Sequence, residues 1–266
     1  MRFSERMGIV KASNIIQKDD MNDDLRTDLF NVFYLFTQKD SEFFNSKMQK
    51  ILYFDFFRKP VSDAISYYFY GEIKHFMENS EWNYVYDLIE CVVETIKHYK
   101  LTSQSIDDLI GALNNVLKRN NSAYRFVGTQ IACITDDTEI KEIETAQENP
   151  HSNVQTHINT ALGFLSDRQN PDYRNSIKES ISAVEALCRE ITGESTLDKA
   201  LPALVKKGVE IPNMLRKSFE HFYHFTNDKN GIRHALMDEE QIGFEEAKYM
   251  LVLCSAFVNY LQAKLA

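Results

Sequence analysis

Between two strongly apolar stretches near its C-terminal end, the sequence gathers polar and ionisable side chains in the run Thr226-Asn-Asp-Lys-Asn-Gly-Ile-Arg-His-Ala235. Asn, Asp and Gly suit a turn or a helix start, so part of this run is ordinary loop chemistry. Arg233 and His234 offer more. A histidine exchanges a proton near neutral pH, and an adjacent cation stabilises the charge that builds on a phosphate under attack. Those two parts let an RNA 2′-hydroxyl attack its own phosphodiester without a metal. An Arg-His pair also serves as a plain helix cap, and the residue types alone leave both readings open.

Other groups are less suited to chemistry. His221 and His224 stand three apart on an expected helix, a spacing that can present two metal ligands on one face. No third ligand is identifiable beside them and both flank phenylalanines, so packing or surface roles fit better. Ser182 and Glu185, on an earlier helix, could face the Arg-His segment across a bundle, Glu185 orienting His234 or Arg233; a solvated helix glutamate is the plainer alternative. Asp238-Glu-Glu240 reads as a solvated turn. The aromatic runs Tyr53 to Phe57 and Tyr67 to Tyr70 could stack bases, but only Arg58 and Lys59 accompany them, and core packing is the better reading. GxxxxGK[ST], GxGxxG, HExxH and GxSxG are all absent, which leaves NTPase, dinucleotide, zincin and hydrolase readings without support.

These residues need elements to hold them, and the periodicity is mostly helical. Leu25, Leu29, Val32, Phe33 and Phe36 predict a helix over Asp23–Thr37, behind the capping candidates Asn22 and Asp23. The pattern resumes from Val61 to Phe76 after Pro60, and again over Trp82–Tyr99 and Ile106–Leu117. The β-branched and aromatic stretch 123–134, with Gly128 near its middle, predicts a small hairpin. Thr135-Asp136-Asp137 reads as a cap for a helix from about Glu139. The polar run Gln147–Asn153 marks a domain boundary, giving domains 1–149 and 150–266. After it come helices over Val154–Ser166 and then up to Thr192, the latter with Asn170-Pro171 as N-cap and first residue and Gly193 as stop. Further helices are Leu197–Val205, one from Pro212 exposing Leu215, Phe219, Phe222 and Phe225 along one side, and Phe244–Leu265. Four substantial amphipathic helices in the second half predict an antiparallel bundle, and the whole is read as all-α with one small hairpin.

Composition agrees. The 266 residues suffice for two ordinary domains, 44% are hydrophobic and 26% charged, and only 9 Gly and 5 Pro interrupt them. The net charge is −9, of which residues from 150 onward contribute 13 Lys and Arg against 15 Asp and Glu. A broadly basic nucleic-acid surface is therefore excluded, and any RNA must meet a local patch. Cys91, Cys133, Cys188 and Cys254 are widely spaced and mostly set in apolar helical patterns, as expected of reduced buried thiols in a cytoplasmic protein. Arg2, Glu5 and Arg6 interrupt any leader-like apolar run, and no apolar stretch is long enough to span a membrane.

The stretch Asn227 to Ala235 followed by Phe244 to Leu261 resembles the HEPN-like domain of bacterial abortive-infection proteins, and Tyr173 to Gly193 resembles that domain's earlier long helix. Phe3-Ser-Glu-Arg-Met-Gly8, Met21-Asn-Asp-Asp-Leu-Arg26, Tyr124-Arg-Phe-Val127 and Ile134-Thr-Asp-Asp-Thr-Glu-Ile140 are similar to an N-terminal domain of AbiJ-type abortive-infection proteins. Together the resemblances cover nearly the whole chain. The motifs are short, and their order is more specific than any one of them.

The resemblance implies a HEPN-like bundle for 150–266, an AbiJ-type helical domain for 1–149, and a dimer in which two Arg-x4-His motifs face one another and cut RNA. Here Lys229 holds the arginine position and Asn230 the polar one, so the motif reads Lys229-Asn-Gly-Ile-Arg-His234. Lysine keeps the charge but loses the planar fork that grips a phosphate; Arg233 could supply it instead. The expectation is an antiphage abortive-infection effector that is a metal-independent endoribonuclease. His234 is its general acid/base, Arg233 and Lys229 stabilise phosphate charge, and Asn230 or Asp228 orients them. Its partners are an RNA substrate, a second copy joined through the C-terminal bundle, and a phage or host trigger, with no metal or organic cofactor. The rival is a non-catalytic HEPN dimerisation module whose N-terminal domain senses a phage or host component.

Overall fold

Asn22 opens the first helix, α1 (Asp23–Thr37). Its side-chain oxygen accepts the Leu25 N–H at 2.9 Å, and Asp23 and Asp24 occupy the first turn, where the helix dipole favours negative charge. Leu25, Leu29, Phe33 and Phe36, three and four residues apart, form its buried face. This is a computed structural model, which describes residues 7, 16–38, 42–64, 68–99, 106–167, 170–227 and 242–265. By contacts the chain divides into two compact units, Met1–Cys133 and Ile134–Ala266.

In the first unit α2 (Glu42–Ile51) passes into a π-helical stretch, Leu52–Phe56, and then a 3₁₀ turn, Val61–Asp63. The helix expected from Val61 begins later, as α3 (Phe69–Asn79). Pro60 enters the turn at φ −56° and ψ 129°, and Ala64 leaves the helical region at ψ 85°, so no helix runs on from Val61. α4 (Trp82–Tyr99) and α5 (Ile106–Arg119) complete the helices of this unit, and α1 packs on both α3 and α5. Arg26 of α1 donates to the Met77 carbonyl at 2.6 Å and the Ser80 carbonyl at 2.8 Å, placing a cation on the open C-terminal end of α3. Leu25, Leu29, Phe69, Ile73, Leu88 and Leu117 are almost wholly buried in a shared core, each worth roughly 1.5–3 kcal/mol of burial.

The expected hairpin is present as β1 (Arg125–Val127) and β2 (Gln130–Ala132), turned by Gly128 at φ +57°. Phe126 pairs with Ile131, the pair whose N–H groups point away from the partner strand. Helix side chains take both groups. Asn114 of α5 accepts the Phe126 N–H at 2.8 Å and donates to its carbonyl at 3.0 Å, while Glu90 of α4 accepts the Ile131 N–H at 2.6 Å.

The second unit begins with α6 (Asp137–Gln147), capped by Asp136, which accepts the Thr138 and Glu139 N–H groups. Residues 134–149, grouped with the first domain on sequence, pack here. Asn259 of α11 (Phe244–Leu265) donates to the Glu142 carbonyl at 2.9 Å and its carboxylate at 2.8 Å. α7 (Ser152–Ser166) and α8 (Tyr173–Thr192) run antiparallel, since Ala161, His157 and Asn153 bond in turn to Ser176, Glu179 and Glu190. Ser176, Ser180, Ala183 and Ala186 give α8 a stripe of small buried residues that lets neighbouring helices approach closely. α8 is the centre of the bundle, contacted by α7, by α9 (Leu197–Lys206), by α10 (Asn213–Asn227) and by α11. The start of α8 corrects the sequence reading. Asp172, not Asn170, is the N-cap, accepting the Asn175 N–H at 3.0 Å, and Pro171 stands before the helix. Gly193 ends α8 in the left-handed region, as expected.

Candidate functional site

The segment that carries the candidate chemistry joins α10 to α11. Asp228, Lys229, Asn230, Arg233 and His234 lie outside the described residues, so the structure speaks to the frame that flanks them. Phe219 of α10 stacks on Phe257 of α11 with ring centroids 3.4 Å apart and planes 11° from parallel, a contact between the two helices. Of the stripe read along α10, Phe219 is buried and Phe225 is 46% exposed, so the apolar side is narrower than its spacing suggests. Thr226, at the end of α10, is buried and donates to the Tyr223 carbonyl at 2.8 Å. At the other end of the connection Glu246 accepts the Gly243 N–H at 2.9 Å. That bond holds the Glu246 carboxyl below its ordinary value and closes the first turn of α11. The ring of Phe244 meets Tyr173 edge to face at 6.3 Å, anchoring the start of α11 to the start of α8.

Several sequence candidates have partners in this frame. Glu185 is held by Arg189 at 2.7 Å on its own helix. His224 Nε2 lies 3.3 Å from Asp198 Oδ1, so it ties α10 to α9, and His221 is exposed. Among the described residues no group of three or more His, Cys, Asp or Glu side chains is arranged to hold a metal. In the first unit the aromatic run is mostly core: Tyr53 is buried, and Phe56 and Phe57 pack edge to face with Phe76, while Phe54 is exposed. None of the four cysteines is in a disulfide. Burial pushes the Cys188 thiol up to about 12 and raises Cys254 and Cys91 as well, which makes these three poor nucleophiles.

One arrangement escaped the sequence reading. His157 Nδ1 of α7 lies 2.6 Å from Glu179 Oε2 of α8, with both side chains partly buried. A carboxylate on Nδ1 fixes the orientation of the ring, so the pair is a clamp between the two helices. The pair is 22 residues apart in sequence, and only the register of two packed helices brings it together.

A protein-family model described as AbiJ N-terminal domain 4 matches residues 1–149. No curated protein and no solved structure matches the chain. Among the described residues no helix is long and apolar enough to cross a membrane.

Proposed function

The chain belongs to the AbiJ N-terminal domain 4 family, and from that premise we propose that this abortive-infection-type protein is an antiphage effector whose second unit is a HEPN-type endoribonuclease. What supports the reading is the frame of that unit. Its two last helices both pack on α8 and meet through the Phe219–Phe257 stack, and between them in sequence runs the segment bearing Lys229, Asn230, Arg233 and His234. In the proposed reaction His234 takes the proton of an RNA 2′-hydroxyl as that oxygen bonds to the adjacent phosphorus. The bond from phosphorus to the 5′-oxygen then breaks, and the leaving oxygen takes a proton from water, the proton held by His234 returning to solvent. The products are a 2′,3′-cyclic phosphate and a 5′-hydroxyl, and the chemistry requires no metal. Arg233 and Lys229 stabilise the charge on the phosphoryl oxygens, with Asn230 or Asp228 orienting them. Two copies joined through the C-terminal bundle bring two such segments to one cleft.

The test is induction of wild type and His234→Ala in cells, with and without phage, following growth and total RNA integrity. Growth arrest with fragmented RNA in wild type alone is the expected result. Intact RNA in both overturns the nuclease reading and favours the second one, a non-catalytic dimerisation module whose first unit senses a phage or host component. That second reading draws on Lys229 standing at the arginine position and on the net charge of −9.

A further inference from the structure

In the first unit, Phe57 and Lys59, just after the π-helical stretch, and one side of α3 line an open recess of about 560 Å³ that also takes in Tyr68, Gly71, Glu72, His75 and Phe76. That size lies within the range of sites for small organic molecules. Phe57 and Phe76 meet edge to face with centroids 5.2 Å apart, and Tyr68, 63% exposed, adds a third ring. Lys59 Nζ stands 5.5 Å from the Phe57 centroid and 4.0 Å from Glu72, the outer limit of an ion pair, while Glu72 also takes the Tyr53 hydroxyl. The ammonium is therefore only loosely neutralised at the edge of an aromatic surface. His75 adds a directed donor. The Asn79 amide donates to the His75 carbonyl at 2.8 Å and to its Nδ1 at 3.1 Å, which leaves the ring proton on Nε2.

Gly71 leaves part of the recess wall without a side chain. It sits inside α3, where glycine is among the poorest helix formers, and a Cβ built on it meets nothing within 4 Å. Neither packing nor an unusual φ requires glycine there. A side chain at this position would stand in the open space of the recess.

We infer that this recess binds a small flat aromatic ligand bearing an anionic group, the chemistry of a nucleoside monophosphate. The ring lies among Phe57, Phe76 and Tyr68, and the anion meets Lys59 Nζ and His75 Nε2–H. The inference is independent of whether the second unit cleaves RNA, since binding is measured without turnover. Calorimetric titration of the full chain with adenosine 5′-monophosphate, adenosine and inorganic phosphate tests it. The nucleotide is expected to bind with a Kd of about 10 μM to 1 mM, and each half alone about tenfold more weakly or worse. Lys59→Met should weaken nucleotide binding about tenfold. Gly71→Leu fills the recess and should abolish binding while leaving the melting temperature at or above wild type, because leucine is the better helix former. Absence of saturable nucleotide binding by wild type, or binding that Gly71→Leu leaves intact, overturns the site. Adenosine binding as tightly as the nucleotide overturns the anionic half of the assignment.

Discussion

The Glu90 carboxylate of α4 accepts the Ile131 backbone N–H at 2.6 Å, so an ionisable side chain holds the second strand of the hairpin to the helix layer. Burial, chiefly, with Glu94 and Asp87 adding to it, pushes this carboxyl from 4.5 up to about 7, against the opposing pull of the Ile131 bond. The folded chain thus keeps a proton at Glu90 that the unfolded chain has released. The stability this contributes is complete below pH 4.5 and is lost as the pH rises through about 7. Glu90→Gln keeps an acceptor for the N–H and removes the titration. Relative to wild type it should gain on the order of 2–3 kcal/mol between pH 4.5 and pH 8. Denaturation curves taken across that interval check it, and a constant difference between the two proteins would refute it.

Gly193 and Gly71 should respond oppositely to the same substitution. Gly193 closes α8 at φ +78°, and a Cβ there meets nothing within 4 Å, so Gly193→Ala meets only backbone strain. It should cost about 1 kcal/mol and lower the melting temperature by about 2–6 °C. Gly71→Ala, in ordinary helix, should stabilise by up to about 1 kcal/mol. Thermal melts of the two variants decide the matter, and a drop in both would be wrong for Gly71.

Phe219→Ala removes the ring that stacks on Phe257 and should cost about 3–5 kcal/mol, with Phe219→Leu costing clearly less. If the segment after α10 acts on RNA, Phe219→Leu should also reduce cleavage while His234 is unchanged, because the helix carrying that segment is less firmly seated. Hydrogen exchange along α10, measured beside cleavage of total RNA, would show both effects together.

Lys229 offers a gain-of-function check on the proposed nuclease. Lys229→Arg restores a planar fork and should raise cleavage, and Lys229→Ala should lower it by about 10²-fold or more. Equal cleavage by all three proteins would assign the phosphate contact to Arg233 alone.

The helices over Asp23–Thr37, Trp82–Tyr99 and Phe244–Leu265 were legible because each carries an unbroken apolar stripe, and the hairpin because β-branched residues flank Gly128. The start of α8 was misread because Asn170 and Asp172 are both good caps, and the choice went to the one whose oxygen reaches Asn175. Val61 to Phe76 keeps a helical spacing of apolar residues through a 3₁₀ turn, a break that spacing does not register. The His157–Glu179 pair and the grip of Asn114 and Glu90 on the hairpin depend on how elements dock, which no local pattern encodes. The chemistry read from Lys229 to His234 rests on residue types and on a resemblance, while the described structure supplies the helices on either side.

The hairpin of the first unit has a consequence for how copies of this protein meet. A two-stranded sheet ordinarily offers two rows of unpaired backbone groups to any passing strand, and so seeds the cross-linking of chains into aggregates. Here Asn114 occupies the outward N–H and carbonyl of Phe126 and Glu90 occupies the outward N–H of Ile131, so three of the outward groups of this pair are already taken by helix side chains. A variant that frees these groups, such as Asn114→Ala, should aggregate on concentration more readily than wild type, as light scattering would show.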